Sequence, residues 1–197
     1  MKHHPRIPEN AKCVFHWIRS SVYQWQQELY DGSLTPFERV RFTDGAFVIA
    51  ITPDEKVIIT RQEQPSRGPF VWLPWGCLEE DEDPLSGAKR ELREETGYMS
   101  DDWSLWKETD GWNNILSYTY FFIARKCYKV TDIKSDPWER IVLDFLSFDE
   151  FLHLTEEPTF HHHSDILPIL YEARLSKKNY TTLRERFYWN SYAELSR

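Results

Sequence analysis

The chain has 197 residues, of which 41% are hydrophobic and 16% aromatic, enough to fill the core of one domain and too many for a disordered chain. A formal net charge of −8 argues against a general nucleic-acid binder, which carries a basic face to neutralise phosphates. A phosphate-bearing small molecule stays compatible with that charge, because a divalent cation can supply the positive charge locally.

Residues 1–12 are polar and contain proline, and predict a flexible arm before a single domain at 13–180. Nothing near Met1 resembles the apolar segment of a signal peptide, and no apolar run approaches a membrane span. Cys13, Cys77 and Cys127 are far apart, which predicts reduced thiols and a cytoplasmic protein with no membrane partner. From Val14 to about Leu29 the pattern admits a pair of strands or a short helix, followed by a turn at Asp31-Gly32. Ala46–Ile51 is a continuous β-prone run, and Pro53-Asp54-Glu55 turns it back into Val57–Thr60, so a buried hairpin is expected. A short strand is expected at Phe70–Leu73, stopped by Pro74.

Residues 85–96 read as a helix, with Leu85, Ala88, Leu92 and Thr96 at helical spacing and Gly97 placed to end it. Strands are expected at Tyr118–Ile123 and Arg140–Phe145, and a last helix from Ile166 to Leu175, fraying beyond Lys177 into a tail at 181–197. Strands outnumber helices, and the class expected is α/β or α+β. Nine tryptophans invite a base-stacking reading, yet most tryptophans serve cores; Trp75, beside Gly76, is the one to watch. His161-His162-His163 follows Pro158-Thr159, and three consecutive side chains cannot all face one ion, so a polar loop is a better reading than a zinc site.

The chemistry-bearing segment is Arg90-Glu91-Leu92-Arg93-Glu94-Glu95. Glu91 and Glu95 are four residues apart and Glu94 three from Glu91, so their carboxylates project from neighbouring helix positions. Like charges so close repel unless a cation lies among them, and hard oxygen ligands suit magnesium or manganese. Taken alone, such a stretch is most often a solvated helix face. The longer spacing changes that reading: Gly76, five residues, Glu82, seven residues, then Arg90-Glu91-Leu92-Arg93-Glu94-Glu95-Thr96-Gly97-Tyr98.

This spacing resembles the Nudix box at every fixed position. The resemblance implies a Nudix-like α/β/α sandwich around a mixed sheet, here with an N-terminal β extension at 13–44. It implies Mg2+, with Mn2+ possible, held by Glu91, Glu94, Glu95 and a carbonyl at Trp75 or Gly76, with Arg90 and Glu82 orienting the loop and helix. Beyond the box the chain is similar to the ADP-ribose and ADP-sugar pyrophosphatase branch, from about Glu28 to Leu175. That branch implies a nucleoside diphosphate derivative as substrate, a homodimer, and a water-positioning glutamate matched by Glu139. It also points to Arg61, Gln64 and Trp75 as substrate residues. Gln64 stands where the branch usually has arginine, Trp75 where it usually has alanine, and Gly111–Asn114 where it has a proline. Hydrolysis of a nucleoside triphosphate or an RNA 5′ end, or a non-catalytic nucleotide-sensing role, are the alternatives; the intact box glutamates disfavour the last.

Overall fold

The computed structural model describes residues 7–65, 67–111, 114–134, 137–160 and 165–189. Its strands are β1 (Lys12–His16), β2 (Ser20–Glu28), β3 (Leu34–Phe42), β4 (Gly45–Ile51), β5 (Val57–Gln64), β6 (Arg67–Trp72), β7 (Trp75–Cys77), β8 (Tyr98–Met99), β9 (Asp102–Asp110), β10 (Ile115–Leu116), β11 (Tyr118–Arg125), β12 (Tyr128–Lys129) and β13 (Arg140–Leu146). Helix α1 (Pro84–Thr96) follows β7, and α2 (Phe148–His153), α3 (Leu167–Leu175) and α4 (Lys177–Tyr188) follow β13. His161-His162-His163 and Trp112 lie outside the described residues.

The central sheet runs β13-β5-β4-β11-β9, with β6 and β7 attached to β5 and β4. It is mixed, because β4 and β11 are parallel while the other pairs are antiparallel. Strand β4 is buried along its whole length, which is why it reads as an unbroken apolar run. Its alternate side chains serve two cores. Ala46, Val48 and Ala50 pack with Ala88 and Leu92 beneath α1. Phe47, Ile49 and Ile51 pack with Phe151, Leu170 and Phe187 beneath α2, α3 and α4. Helices cover both faces, so the expected α/β/α sandwich is the architecture found.

The expected β4–β5 hairpin is real but short: it pairs only at Ala50–Ile58 and Ile51–Val57. Beyond that the strands part, β7 taking the β4 edge from Gly45 to Phe47 and β6 taking β5 from Thr60 to Gln64. This fork brings the segment before α1 into the middle of the sheet. Strand β7 was not expected from the sequence, since three residues beside a proline carry no periodicity.

The Val14–Leu29 ambiguity resolves to strands. β1, β2 and β3 form an antiparallel meander extended by β10, apart from the central sheet. Much of its apolar surface is exposed, including Val14, Phe15, Trp17, Ile18, Leu34 and Phe37.

The expected tail beyond residue 180 needs correction. Helix α4 continues to Tyr188 and buries Leu183 and Phe187. Phe187 packs edge-on against Trp106 and Phe148, at 5.4 and 5.7 Å between centroids. Buried Arg125 closes the helix, donating from Nε and Nη2 to the Phe187 and Arg186 carbonyls, both at 2.7 Å. Two apolar anchors four residues apart in a charged sequence were too sparse to reveal it.

No helix among the described residues is long and apolar enough to cross a membrane. All three cysteines are free thiols.

Candidate active site

Helix α1 begins at Asp83, whose side chain accepts from Ser86 N, with Pro84 in its first turn. It ends at Gly97, at φ 75 in the left-handed region that glycine enters without strain. The Gly97 carbonyl then accepts from Val130 N and Thr131 N, fixing the far end of the helix to the following loop.

Strand β7 presents the loop to this helix. Val48 N donates to the Pro74 carbonyl at 2.9 Å, and Leu78 N to the Asp44 carbonyl at 2.8 Å. Residues 74, 76 and 78 thus turn their peptide groups toward β4, while Trp75 and Cys77 turn theirs toward α1. Trp75 N–H donates to Glu95 Oε2 at 3.0 Å, and the Cys77 carbonyl accepts from Arg90 Nη2 at 3.1 Å. The Trp75 carbonyl lies on that same side. Of the two carbonyls that the resemblance offers, it is therefore the one directed at the carboxylates. Gly76 makes the approach possible, because a Cβ there would overlap the Glu91 carboxylate.

Arg90 is the hub. Nε and Nη2 donate to the two oxygens of Glu82 at 3.0 and 2.9 Å, and Nη1 donates to Glu91 Oε1 at 2.6 Å and Glu94 Oε2 at 3.3 Å. Glu82 also accepts from Glu79 N, and its pKa is lowered chiefly by the Arg90 pair. Glu91 behaves oppositely. Burial pushes its carboxyl up to about 7, with Arg90 pulling it back only in part. Glu95 is more deeply buried and stands well above the usual carboxylate range, first through burial and then through the charges of Glu91 and Glu139, against the Trp75 hydrogen bond. Gln62 Nε2 supports Glu95 Oε1 at 3.4 Å.

These groups face a cavity of about 320 Å³ lined by residues that include Gln62, Gln64, Trp75, Glu91, Glu95 and Glu139. Of the sequence-predicted residues, Arg90, Glu91, Glu95, Glu139, Gln64 and Trp75 meet here, while Glu94 is not among the lining residues and is half exposed, paired with Arg90. Arg61 does not. It lies on the opposite face of β5 from Gln62 and Gln64 and pairs with Asp144 at 3.0 Å. Trp75 stacks against Phe47 and Trp72, at 5.4 and 5.5 Å between centroids, so much of its ring serves the core. Cys77 lines the cavity with its thiol pushed up by burial, which disfavours the nucleophilic thiolate.

Sequence reasoning missed Gln62 and Arg19 as cavity residues, and Trp138, next to Glu139 and among the tryptophans open to a stacking reading, lines the cavity too. Alternation along β5 gave a usable signal for Gln62, since it shares a face with Gln64. Nothing local marked Arg19.

Among the described residues, no three His, Cys, Asp or Glu side chains already form a metal-holding group. Arg90 instead supplies the positive charge between Glu91 and Glu94. The donors nonetheless fit a hard divalent cation. Burial raises the pKa of both Glu91 and Glu95, the Glu91 charge raises that of Glu95 further, and the two carboxylates share their side of the loop with a backbone carbonyl.

The NUDIX domain family matches residues 41–168. A methanol dehydrogenase activator of Bacillus methanolicus is 30% identical over 149 residues, covering 73% of this chain and 80% of that protein. An ADP-ribose pyrophosphatase of Bacillus subtilis (strain 168) is 37% identical over 80 residues, covering 40% of this chain and 43% of that one. In structure, an ADP compounds hydrolase aligns with a TM-score of 0.68 at 21% identity, covering 84% of this chain and 90% of that one, a likeness of fold. With the family matching most of the chain, and the loop and helix above falling inside the matched span, the protein belongs to the Nudix family of hydrolases.

Proposed function

We propose that this Nudix-type pyrophosphatase uses magnesium to hydrolyse the pyrophosphate bond of a nucleoside diphosphate linked to another moiety. The substrate is of the ADP-ribose or nucleotide-sugar type, and two phosphate-bearing products result. The observation that carries this reading is the buried pair Glu91 and Glu95 held against the Trp75-Gly76 loop, in one cavity with Glu139. The Bacillus subtilis ADP-ribose pyrophosphatase supports the substrate class.

Glu91, Glu94, Glu95 and the Trp75 carbonyl would hold Mg2+ or Mn2+, and the bound ion would polarise the phosphoryl oxygens. Arg90 and Glu82 keep the helix and loop in register. Glu139, which lines the same cavity as Glu91 and Glu95, would orient the attacking water and accept its proton. Gln64 and Trp75 contact the substrate from the cavity wall; Arg61 is left out of this role. A magnesium-dependent screen of ADP-ribose, nucleotide sugars, dinucleotides and nucleoside triphosphates, scored by released nucleotide, tests the reading. Turnover confined to triphosphates would overturn it. Glu94→Gln and Glu95→Gln should each abolish turnover with the fold intact, and full activity in either removes that residue from the ligand set.

The domain spans residues 13–180 with α4 added to it, and 13–44 forms the extension. The exposed apolar face of that extension supports a homodimer. Light scattering at micromolar concentration should give twice the monomer mass; a monomer overturns this. The free thiols support a cytoplasmic location.

A further inference from the structure

The cavity beside Glu91 is poor in available positive charge. Glu79, Glu91, Glu95 and Glu139 line it, Gln62 and Gln64 are neutral, and its cations are Arg90 and Arg19. Arg90 has five N–H groups, and they make five hydrogen bonds, two to Glu82 and one each to Glu91, Glu94 and the Cys77 carbonyl. It has none left for a substrate anion without releasing a carboxylate or the Cys77 carbonyl. Arg19 differs. Among the described residues its guanidinium makes no ion pair or hydrogen bond, while its charge is felt at Cys77 in the cavity wall.

The backbone holds Arg19 in that place. It lies in the turn between β1 and β2, closed by Trp17 N donating to the Ser20 carbonyl at 2.8 Å. The Arg19 carbonyl accepts from Thr43 N at 3.0 Å and from Thr43 Oγ1 at 3.4 Å. The next residue, Asp44, accepts from Leu78 N just after β7, and its carboxylate accepts from Arg41 and from Tyr118 N. A continuous run of backbone hydrogen bonds thus ties the Arg19 turn to the loop bearing Trp75 and Gly76. The extension delivers a cation to the rim of the site, and residue 19 keeps its position through its carbonyl whatever its side chain.

We propose that Arg19 is a substrate-binding residue, pairing with the phosphate oxygens of the diphosphate at the cavity mouth. This rests on the reading above for the substrate, but not for anion binding itself. Because the contact is made to phosphate oxygens in both ground and transition states, it acts on KM more than on kcat.

The test compares wild type, Arg19→Ala and Arg19→Lys in two measurements on the intact chain. The first is steady-state hydrolysis of ADP-ribose with magnesium. Arg19→Ala should raise KM by about 10- to 100-fold, the range of a charged hydrogen bond. Its kcat should stay within about threefold, and Arg19→Lys should recover part of the loss, since lysine keeps the charge without the fork. The second is calorimetric titration with inorganic pyrophosphate, where Arg19→Ala should lose affinity to a similar degree with an unchanged far-UV spectrum. If wild type hydrolyses no nucleoside diphosphate derivative, the functional reading fails, and the pyrophosphate titration still decides Arg19. Equal pyrophosphate affinity in wild type and Arg19→Ala, or no binding to either, overturns the proposal. A fall in kcat at constant KM does so as well.

Discussion

The carboxylate of Glu91 rests on the backbone of Gly76, so closely that any side chain at residue 76 would occupy the same space. The overlapping atoms are the end of a flexible glutamate, which can swing away. Gly76→Ala should therefore fold, at a cost of about 1–2 kcal/mol, while displacing Glu91 from the loop. We expect kcat to fall by about 100-fold or more, with the melting temperature lowered by only a few degrees. Unaltered turnover in that variant would remove Glu91 from the reaction centre.

Arg90 binds Glu82 with two nitrogens and also reaches Glu91, Glu94 and the Cys77 carbonyl. Lysine keeps one charge and loses this fork. Arg90→Lys should lower kcat by about 100-fold and stability by roughly 1–3 kcal/mol, the scale of charged hydrogen bonds lost from a half-buried network. Denaturant midpoints together with kinetics would check both figures, and a variant within twofold of wild type in kcat contradicts the role.

The Glu91 carboxyl lies at about 7 in the fold against an ordinary 4.5, raised by burial first. The folded state therefore favours the protonated form, and the contribution of this group to stability is complete below pH 4.5. It is lost as pH rises to about 7. In chelator, wild type should lose stability relative to Glu91→Gln across that window, on the order of 3 kcal/mol in total. Magnesium added at pH 8 should raise the wild-type melting temperature, because it binds the folded carboxylates. Parallel pH profiles for the two proteins would refute the assignment.

Phe187 is fully buried between Trp106, Phe148 and Phe151. Phe187→Ala should cost about 3–5 kcal/mol, and a chain ending at residue 180 should unfold or aggregate. A truncated protein with the wild-type melting temperature would restore residues beyond 180 to the status of a tail.

What the sequence determined by itself was local or periodic. Helix α1, with Pro84 inside it and Gly97 beyond it, follows from 3.6-residue spacing and end signals that neighbours in the chain supply. The carboxylates of Glu91, Glu94 and Glu95 follow from the same spacing, and the family follows from fixed distances to Gly76 and Glu82. The apolar run of β4 announced a strand covered on both faces. Tertiary structure decided whatever depends on residues distant in sequence meeting in space. It turned Gln62 into the site and Arg61 out of it, because adjacent strand residues face opposite ways and only pairing selects the face. It split the β4–β5 hairpin to admit β7, and made a helix of 177–188 by giving Leu183 and Phe187 a core to enter. It also set Arg19, more than fifty residues before Trp75, at the mouth of the same cavity through hydrogen bonds that no spacing in the sequence encodes.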